Sequence, residues 1–206
     1  AIARAPDGTP SVKGFIEKGF NGGSFATIGQ QLGPRGPEAD VVFSTDYYNP
    51  CPGGHTPNLK RGSYVGWGRA WGAADNSTKI PAGSTNFDNA WSMRFTLDKR
   101  GDFGMYAYIP DKPYDHGRTY PKSNPTAPAC NQWQTLEVEI VQNDIGKKNG
   151  VLRAYIDGEL YQESTGTYTR TIANVRPRGH GISLKHNSGA PKDETYYWKN
   201  WRIYLR

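Results

Sequence analysis

Residues 91–110, WSMRFTLDKRGDFGMYAYIP, constrain the fold more tightly than any other stretch of the chain. Met93, Phe95 and Leu97 alternate with Ser92, Arg94 and Thr96; beyond Lys99-Arg100-Gly101-Asp102, Met105, Ala107 and Ile109 alternate with Tyr106 and Tyr108. Successive side chains of a strand point to opposite faces, so period-two alternation marks a half-buried strand. The stretch therefore predicts two strands joined by a tight turn. With the apolar set facing a core, the opposite face carries a serine, an arginine and two phenols on neighbouring strands. A guanidinium can grip a carboxylate with two parallel hydrogen bonds, and phenols can move protons beside it. The same residues also suit an ordinary exposed face of an antiparallel sheet.

The rest of the chain follows the same pattern. In VVFSTDYY (41–48), Phe43, Thr45 and Tyr47 share one face. Between Trp133 and Val141, Leu136, Val138 and Ile140 look inward, with Thr135, Glu137 and Glu139 outward. GVLRAYIDGELYQES reads as a hairpin with Asp157-Gly158 at its tip. GISLKH (181–186) and TYYWKNWRIYLR at the end of the chain supply further strands. Residues 1–14 read as an arm or edge segment, and 49–90 as the least regular region. No segment sustains helical periodicity, and 25 glycines with 15 prolines exceed what a helical protein tolerates. The expectation is an all-β jelly-roll sandwich of two antiparallel sheets, with residues 1–206 forming one domain.

Cys51 and Cys130 are the whole thiol inventory and lack the close spacing of a zinc or redox motif. A single disulfide is the natural pairing. The loop it closes spans 79 residues, from 51 to 130, and closing it is worth about 4–5 kcal/mol on the chain-entropy model. Asn76-Ser77-Thr78 is a glycosylation sequon, and the chain begins AIARAPDGTP, which resembles a mature end after processing. Together these clues predict a secreted, extracellular protein, and no apolar run is long enough to span a membrane as a helix. The formal charge of +6 points to an acidic partner. With no basic helix and no clustered Lys/Arg run, an acidic polysaccharide fits better than nucleic acid. Tyr64, Trp67 and Trp71 sit among Lys60, Arg61 and Arg69, a combination suited either to stacking on sugars beside a bound carboxylate or to plugging the end of a sandwich. The protein is expected to act as a monomer.

Two resemblances sharpen this reading. NGVLRAYIDG (149–158) resembles a hairpin of concanavalin-A-like jelly rolls. More specifically, the chain resembles the jelly-roll polysaccharide lyases of families 14 and 20, which cleave alginate and glucuronan. Family 14 carries a motif of the form GGKLPGL, then S-x-R, then Y-x-Y twelve residues beyond the arginine. Here the matching residues are GGHTPNL at 53–59, Ser92-Met93-Arg94, and Tyr106-Ala107-Tyr108 at a spacing of twelve. The resemblance implies a cleft on a concave sheet, with Arg94 holding the uronate carboxylate and Tyr106 or Tyr108 handling protons. His55 stands where the alginate-type motif has lysine and could bind the carboxylate or act as base. Lys60 is a second source of charge. The implied activity is β-elimination on an acidic polyuronate, β-1,4-glucuronan first and alginate next. Ser92, Trp67, Lys185, His186 and Glu137 are the expected substrate contacts, although His186 beside Asn187 also reads as a turn cap.

The chemistry asks for the same groups. Elimination across C4–C5 of a uronate requires the carboxylate charge to be neutralised, the C5 proton removed and the O4 leaving group protonated. One alternative is a glycoside hydrolase using Glu137 and Glu139 as a carboxylate pair. Another is a non-catalytic carbohydrate-binding module. No cofactor is required for the elimination, but the concanavalin-A-like resemblance implies a structural calcium tying the first and last strands, with Asn21, Gly23 and Asp193 as ligands offering oxygen.

Overall fold

In a computed structural model, the chain is described at residues 2–20, 22–26, 40–51, 69–73, 90–97, 102–111, 117–120, 127–186, 189–190 and 192–206, with the backbone alone at 22–26, 69–73, 97, 119, 180 and 182–186. None of the described residues is helical. Among the described residues, thirteen strands form two antiparallel sheets. In chain order they are β1 (Ile2–Arg4), β2 (Pro10–Ile16), β3 (Gly22–Ala26), β4 (Val41–Tyr48), β5 (Arg69–Ala73), β6 (Ala90–Leu97), β7 (Phe103–Tyr108), β8 (Arg118–Thr119), β9 (Trp133–Val141), β10 (Gly150–Ile156), β11 (Glu159–Thr167), β12 (Arg176–His186) and β13 (Glu194–Leu205). A seven-stranded sheet runs β1-β2-β13-β4-β9-β10-β11, and a six-stranded sheet runs β3-β12-β5-β6-β7-β8. Chain neighbours are repeatedly separated in the sheets, which makes this a jelly-roll sandwich rather than a meander.

The alternation read from the sequence sets which face each strand buries. Phe43 and Tyr47 of β4 and Leu136, Val138 and Ile140 of β9 project into the space between the sheets. From the other sheet come Trp91, Met93 and Phe95 of β6 with Phe103, Met105 and Ala107 of β7. Phe43 meets Trp91 edge-on with ring centroids 6.2 Å apart, and Tyr47 meets Phe103 at 6.4 Å. Edge-to-face contacts of this kind add to the burial of apolar area that holds the two layers together.

Several expectations shift in detail. The amino-terminal arm is a pair of strands, with β1 at the sheet edge and β2 between β1 and β13. The region expected to be least regular contributes β5, and β12 begins five residues before GISLKH. Cys51 and Cys130 are bonded, with Cα atoms 5.4 Å apart. This staple joins the end of β4 to the start of β9. It is seated by Asn49, whose Oδ1 accepts from the Cys51 amide at 3.0 Å and whose carbonyl accepts from the Asn131 amide at 2.8 Å. The Asp157-Gly158 tip lies where expected, both residues with positive φ (54° and 83°), as a two-residue hairpin turn demands.

Candidate active site

The β6–β7 ladder assembles the expected constellation. Ser92 is the cross-strand partner of Tyr108, and Arg94 that of Tyr106. Because Trp91, Met93 and Phe95 are committed to the core, Ser92 and Arg94 lie on the opposite face of the six-stranded sheet. Partners in a ladder share a face, so Tyr106 and Tyr108 join them. Arg94 Nη2 donates to Ser92 Oγ at 3.2 Å. Its guanidinium carbon lies 4.9 Å from the Tyr108 ring centroid and 5.5 Å from that of Tyr106. The two rings pack edge-to-face at 5.2 Å, and their phenol oxygens are 3.5 Å apart.

This face is not an ordinary exposed one. Ser92 is fully buried, Arg94 is 9% exposed and Tyr106 5%, while Tyr108 is only half-buried. A sheltered cation against two aromatic faces is attracted by the negative faces of the rings, and sheltering from water strengthens each interaction. The guanidinium is thereby held in one place with its planar fork intact, as two-pronged carboxylate binding requires. The two phenol groups stand beside it.

A contact that sequence reading did not anticipate comes from Gly117, just before β8. A Cβ there would lie 2.5 Å from Tyr106 Cε1 and 2.9 Å from its phenol oxygen. The backbone of Gly117 is thus laid directly against the Tyr106 ring, and only glycine permits that approach.

The other expected site residues are distributed unevenly. His55, Lys60, Trp67 and Asn21 lie outside the described residues, as does the sequon at Asn76. Lys185 and His186 are at the end of β12, opposite Gly23 and Gly22 of β3. They share the sheet of Arg94 but are two strands away and about 13 Å (Lys185) and about 17 Å (His186) further along the strand direction, counting ~3.3 Å per residue from Gly181. They are not brought into the Arg94 cluster. Neither is Glu137, which is on β9 in the seven-stranded sheet, paired with Ser44 and Tyr155 on the face turned away from the core.

Glu139 shares that outer face and is already engaged. It is 2% exposed, and its carboxylate accepts from Tyr155 Oη (2.7 Å), Arg153 Nη1 (3.2 Å) and Arg206 Nη1 (2.6 Å). Burial by itself would raise its pKa, but the hydrogen bonds from Tyr155 and Arg153 and the nearby arginine charges outweigh it and hold the carboxyl below its ordinary value. A hydrolytic acid needs the opposite shift. Glu137 and Glu139 also lie on the same face of one strand, on the other sheet from Arg94.

The calcium expectation finds no support. Among the described residues no group of three His, Cys, Asp or Glu side chains could hold a metal ion. Gly23 is a ladder residue of β3. Asp193 does tie the early and late parts of the chain, but by hydrogen bonding: its Oδ1 accepts from the Lys18 amide at 2.7 Å, beside reciprocal backbone bonds linking Gly19 and Phe20 to Ala190.

Known proteins share this architecture. An alginate lyase of family PL-14 from Aplysia kurodai is 18% identical, with 96% of this chain and 84% of that chain covered at a TM-score of 0.72. The alginate lyase vAL-1 from Chlorella virus is 16% identical, with 100% and 88% covered at 0.76. An endo-β-1,4-glucuronan lyase from the fungus Trichoderma reesei is 10% identical, with 95% and 81% covered at 0.59. No curated protein matches the sequence at a significant level. Likeness at these identities shows the fold. The family model for polysaccharide lyase 14 matches residues 42–186, which hold the whole Ser92–Arg94–Tyr106–Tyr108 block and the greater part of both sheets, and the chain belongs to that family of polysaccharide lyases.

Proposed function

We propose that this protein cleaves an acidic polyuronate by β-elimination at the β6–β7 face, with Arg94 neutralising the substrate carboxylate and the tyrosines handling protons. The observation that carries the reading is the sheltered Arg94 guanidinium packed against both phenol rings, with Ser92 as a hydrogen-bond acceptor. Bound to that fork, the uronate carboxylate loses its repulsion for the negative charge that develops at C5 as the proton leaves. A base, Tyr108 or His55, takes the C5 proton. A phenol returns one to O4 as the C4–O4 bond breaks, leaving a C4=C5 double bond on the new non-reducing end. Tyr108 is the more exposed of the two phenols and so the better placed to meet substrate. Tyr106, beneath it, completes the relay.

His55 in the lysine position of the family motif favours β-1,4-glucuronan, and alginate is the second polymer; the structural relatives include lyases of both. Lys60, Trp67, Lys185 and His186 are assigned to substrate sugars flanking the cleaved bond. Glu137, on the far sheet, is left out of the reaction. The disulfide supports work in an oxidising, extracellular setting, and the site block is built from two adjacent strands of one chain, as a monomeric enzyme requires.

The test is ultraviolet absorbance during incubation with each polymer. An unsaturated product absorbs where the substrate does not, so a rise supports elimination and its preference identifies the polymer. New reducing ends without a rise would indicate hydrolysis instead. Binding without either product would leave a carbohydrate-binding module. Tyr108→Phe separates the last case further, since a binder tolerates loss of one hydroxyl whereas the proposed lyase loses turnover and keeps binding.

A further inference from the structure

β11, on the edge of the seven-stranded sheet, is connected to the catalytic strand of the other sheet in an unusual way. Its ladder with β10 pairs Ala154 with Gln162 and Tyr155 with Leu160, so the register shifts by one residue at Tyr161. That is a β-bulge. Its consequence is that two consecutive side chains, Tyr161 (7% exposed) and Gln162 (1%), both turn inward, while Leu160 faces solvent at 53%. Without the bulge, alternation would send one of the pair outward.

Both side chains reach the backbone of β7. Tyr161 Oη donates to the Phe103 carbonyl at 2.6 Å. Gln162 Oε1 accepts from the Met105 amide at 3.0 Å, and Gln162 Nε2 donates to the Tyr120 carbonyl at 2.6 Å. The Tyr120 amide itself donates to the Met105 carbonyl at 3.1 Å. In a regular antiparallel pair, Met105 and Tyr120 would exchange two direct backbone bonds. Here one is direct and the other is routed through the Gln162 amide, whose single acceptor and donor groups match the amide and carbonyl it separates. Gln162 thus stands in for a rung of the sheet at the point where the strand beside β7 diverges. The next ladder pair is Tyr106 with Thr119.

We infer that Gln162, aided by Tyr161, is a positioning residue for the lyase reaction: a clasp from the far sheet that fixes the backbone on which Tyr106 and Tyr108 are mounted. This rests on the proposed elimination at that face. Gln162 acts on the site through the Met105 amide and the Tyr120 carbonyl. A displacement of about 1 Å in a reacting group can cost as much as a hundredfold in rate, so a small slack in this rung reads out in turnover before it reads out in folding.

The experiment compares three variants with the wild type. Gln162→Met keeps the volume and removes both bonds. It is expected to lower kcat about tenfold or more with KM within about twofold, as loss of alignment rather than of binding dictates. Gln162→Glu carries an internal rescue. A buried carboxyl is neutral when protonated and then supplies one acceptor and one donor as the amide does; when ionised it has no donor left for the Tyr120 carbonyl. Its kcat should therefore be near that of the wild type at low pH and fall as pH rises through the raised pKa of the new carboxyl, a limb absent from the wild-type profile. Tyr155→Phe, which removes a bond to Glu139 on the outer face, controls for general destabilisation and should leave kcat unchanged. Exchange of the Met105 amide, read by NMR, should quicken in Gln162→Met and not in Tyr155→Phe. An unchanged kcat in Gln162→Met with active wild type overturns the inference, as does a Gln162→Glu profile parallel to the wild type. A wild-type chain that forms no unsaturated product from any polyuronate overturns the lyase reading and with it the catalytic meaning of the clasp; the exchange measurement still decides whether the clasp exists.

Discussion

Replacing Glu139 by Gln separates the roles of the two sheets. The carboxylate is almost fully buried and takes hydrogen bonds from Tyr155, Arg153 and Arg206. A glutamine oxygen still accepts, but the charge assistance to two guanidinium bonds is lost, about 1 kcal/mol each, and the new amide group turns a donor toward donors, about 1 kcal/mol more. The partners soften the loss. Arg153 retains Glu163 at 2.6 Å, and the Arg206 side chain is 65% exposed, so water can take it up. The total is then ~2–3 kcal/mol, below the ~3–5 kcal/mol of a fully buried broken pair. In a chain of this size that corresponds to a fall in Tm of about 5–10 °C. The folded carboxyl is held below its ordinary value near 4.5, so its stabilisation is present above the unfolded pKa and disappears as pH falls through the folded one. Urea melts of both proteins should differ at neutral pH and converge in acid. Turnover per folded molecule should stay within about twofold, because the residue lies on the opposite sheet from Arg94. Loss of activity in a folded Glu139→Gln protein would refute the placement of the chemistry, and coincident melts at neutral pH would refute the energetics.

Arg94→Lys keeps the charge and loses the planar fork; kcat/KM in the absorbance assay is expected to drop ~10²–10³-fold, and a loss under tenfold would remove the arginine from its assigned role. Gly117→Ala puts a methyl group into the Tyr106 ring, which is hemmed in by Tyr108 and Arg94, so a stability cost of ~1–3 kcal/mol should accompany a kcat loss larger than destabilisation explains; normal kinetics would show that the ring has room to move. Removing the Cys51–Cys130 bridge with the double serine variant should cost about 4–5 kcal/mol in urea melts, and an unchanged midpoint would mean that the bridge constrains little of the unfolded chain.

The alternation in 91–110 was enough to predict a hairpin with Ser92, Arg94, Tyr106 and Tyr108 on one face, because the pleat of a strand is local and each residue's face follows from its parity. The same local rule put Phe43 on one face with Tyr47, turned Leu136, Val138 and Ile140 inward and Glu137 and Glu139 outward. It carries no information about which sheet a strand joins. Glu137 was expected near the substrate, yet pairing puts β9 beside β4 in the sheet that does not hold Arg94. The expected calcium tie finds no support among the described residues, where Asp193 accepts from the Lys18 amide and backbone bonds join Gly19 and Phe20 to Ala190. Gly117 is one of 25 glycines, and nothing beside it in the chain announces the ring it touches. Gln162 is equally silent, since a polar residue in a strand reads as outward until a bulge reverses it. The sequence by itself determined most of the long strands, the inward faces of β6, β7 and β9, and the shared face of Ser92, Arg94, Tyr106 and Tyr108, all properties of neighbours along the chain. Only the tertiary structure decided the sheet each strand entered, the approach of Gly117 to Tyr106 and the reach of Gln162 across the core, because those depend on pairing between residues far apart in sequence, where the energy lies in contacts that no single segment contains.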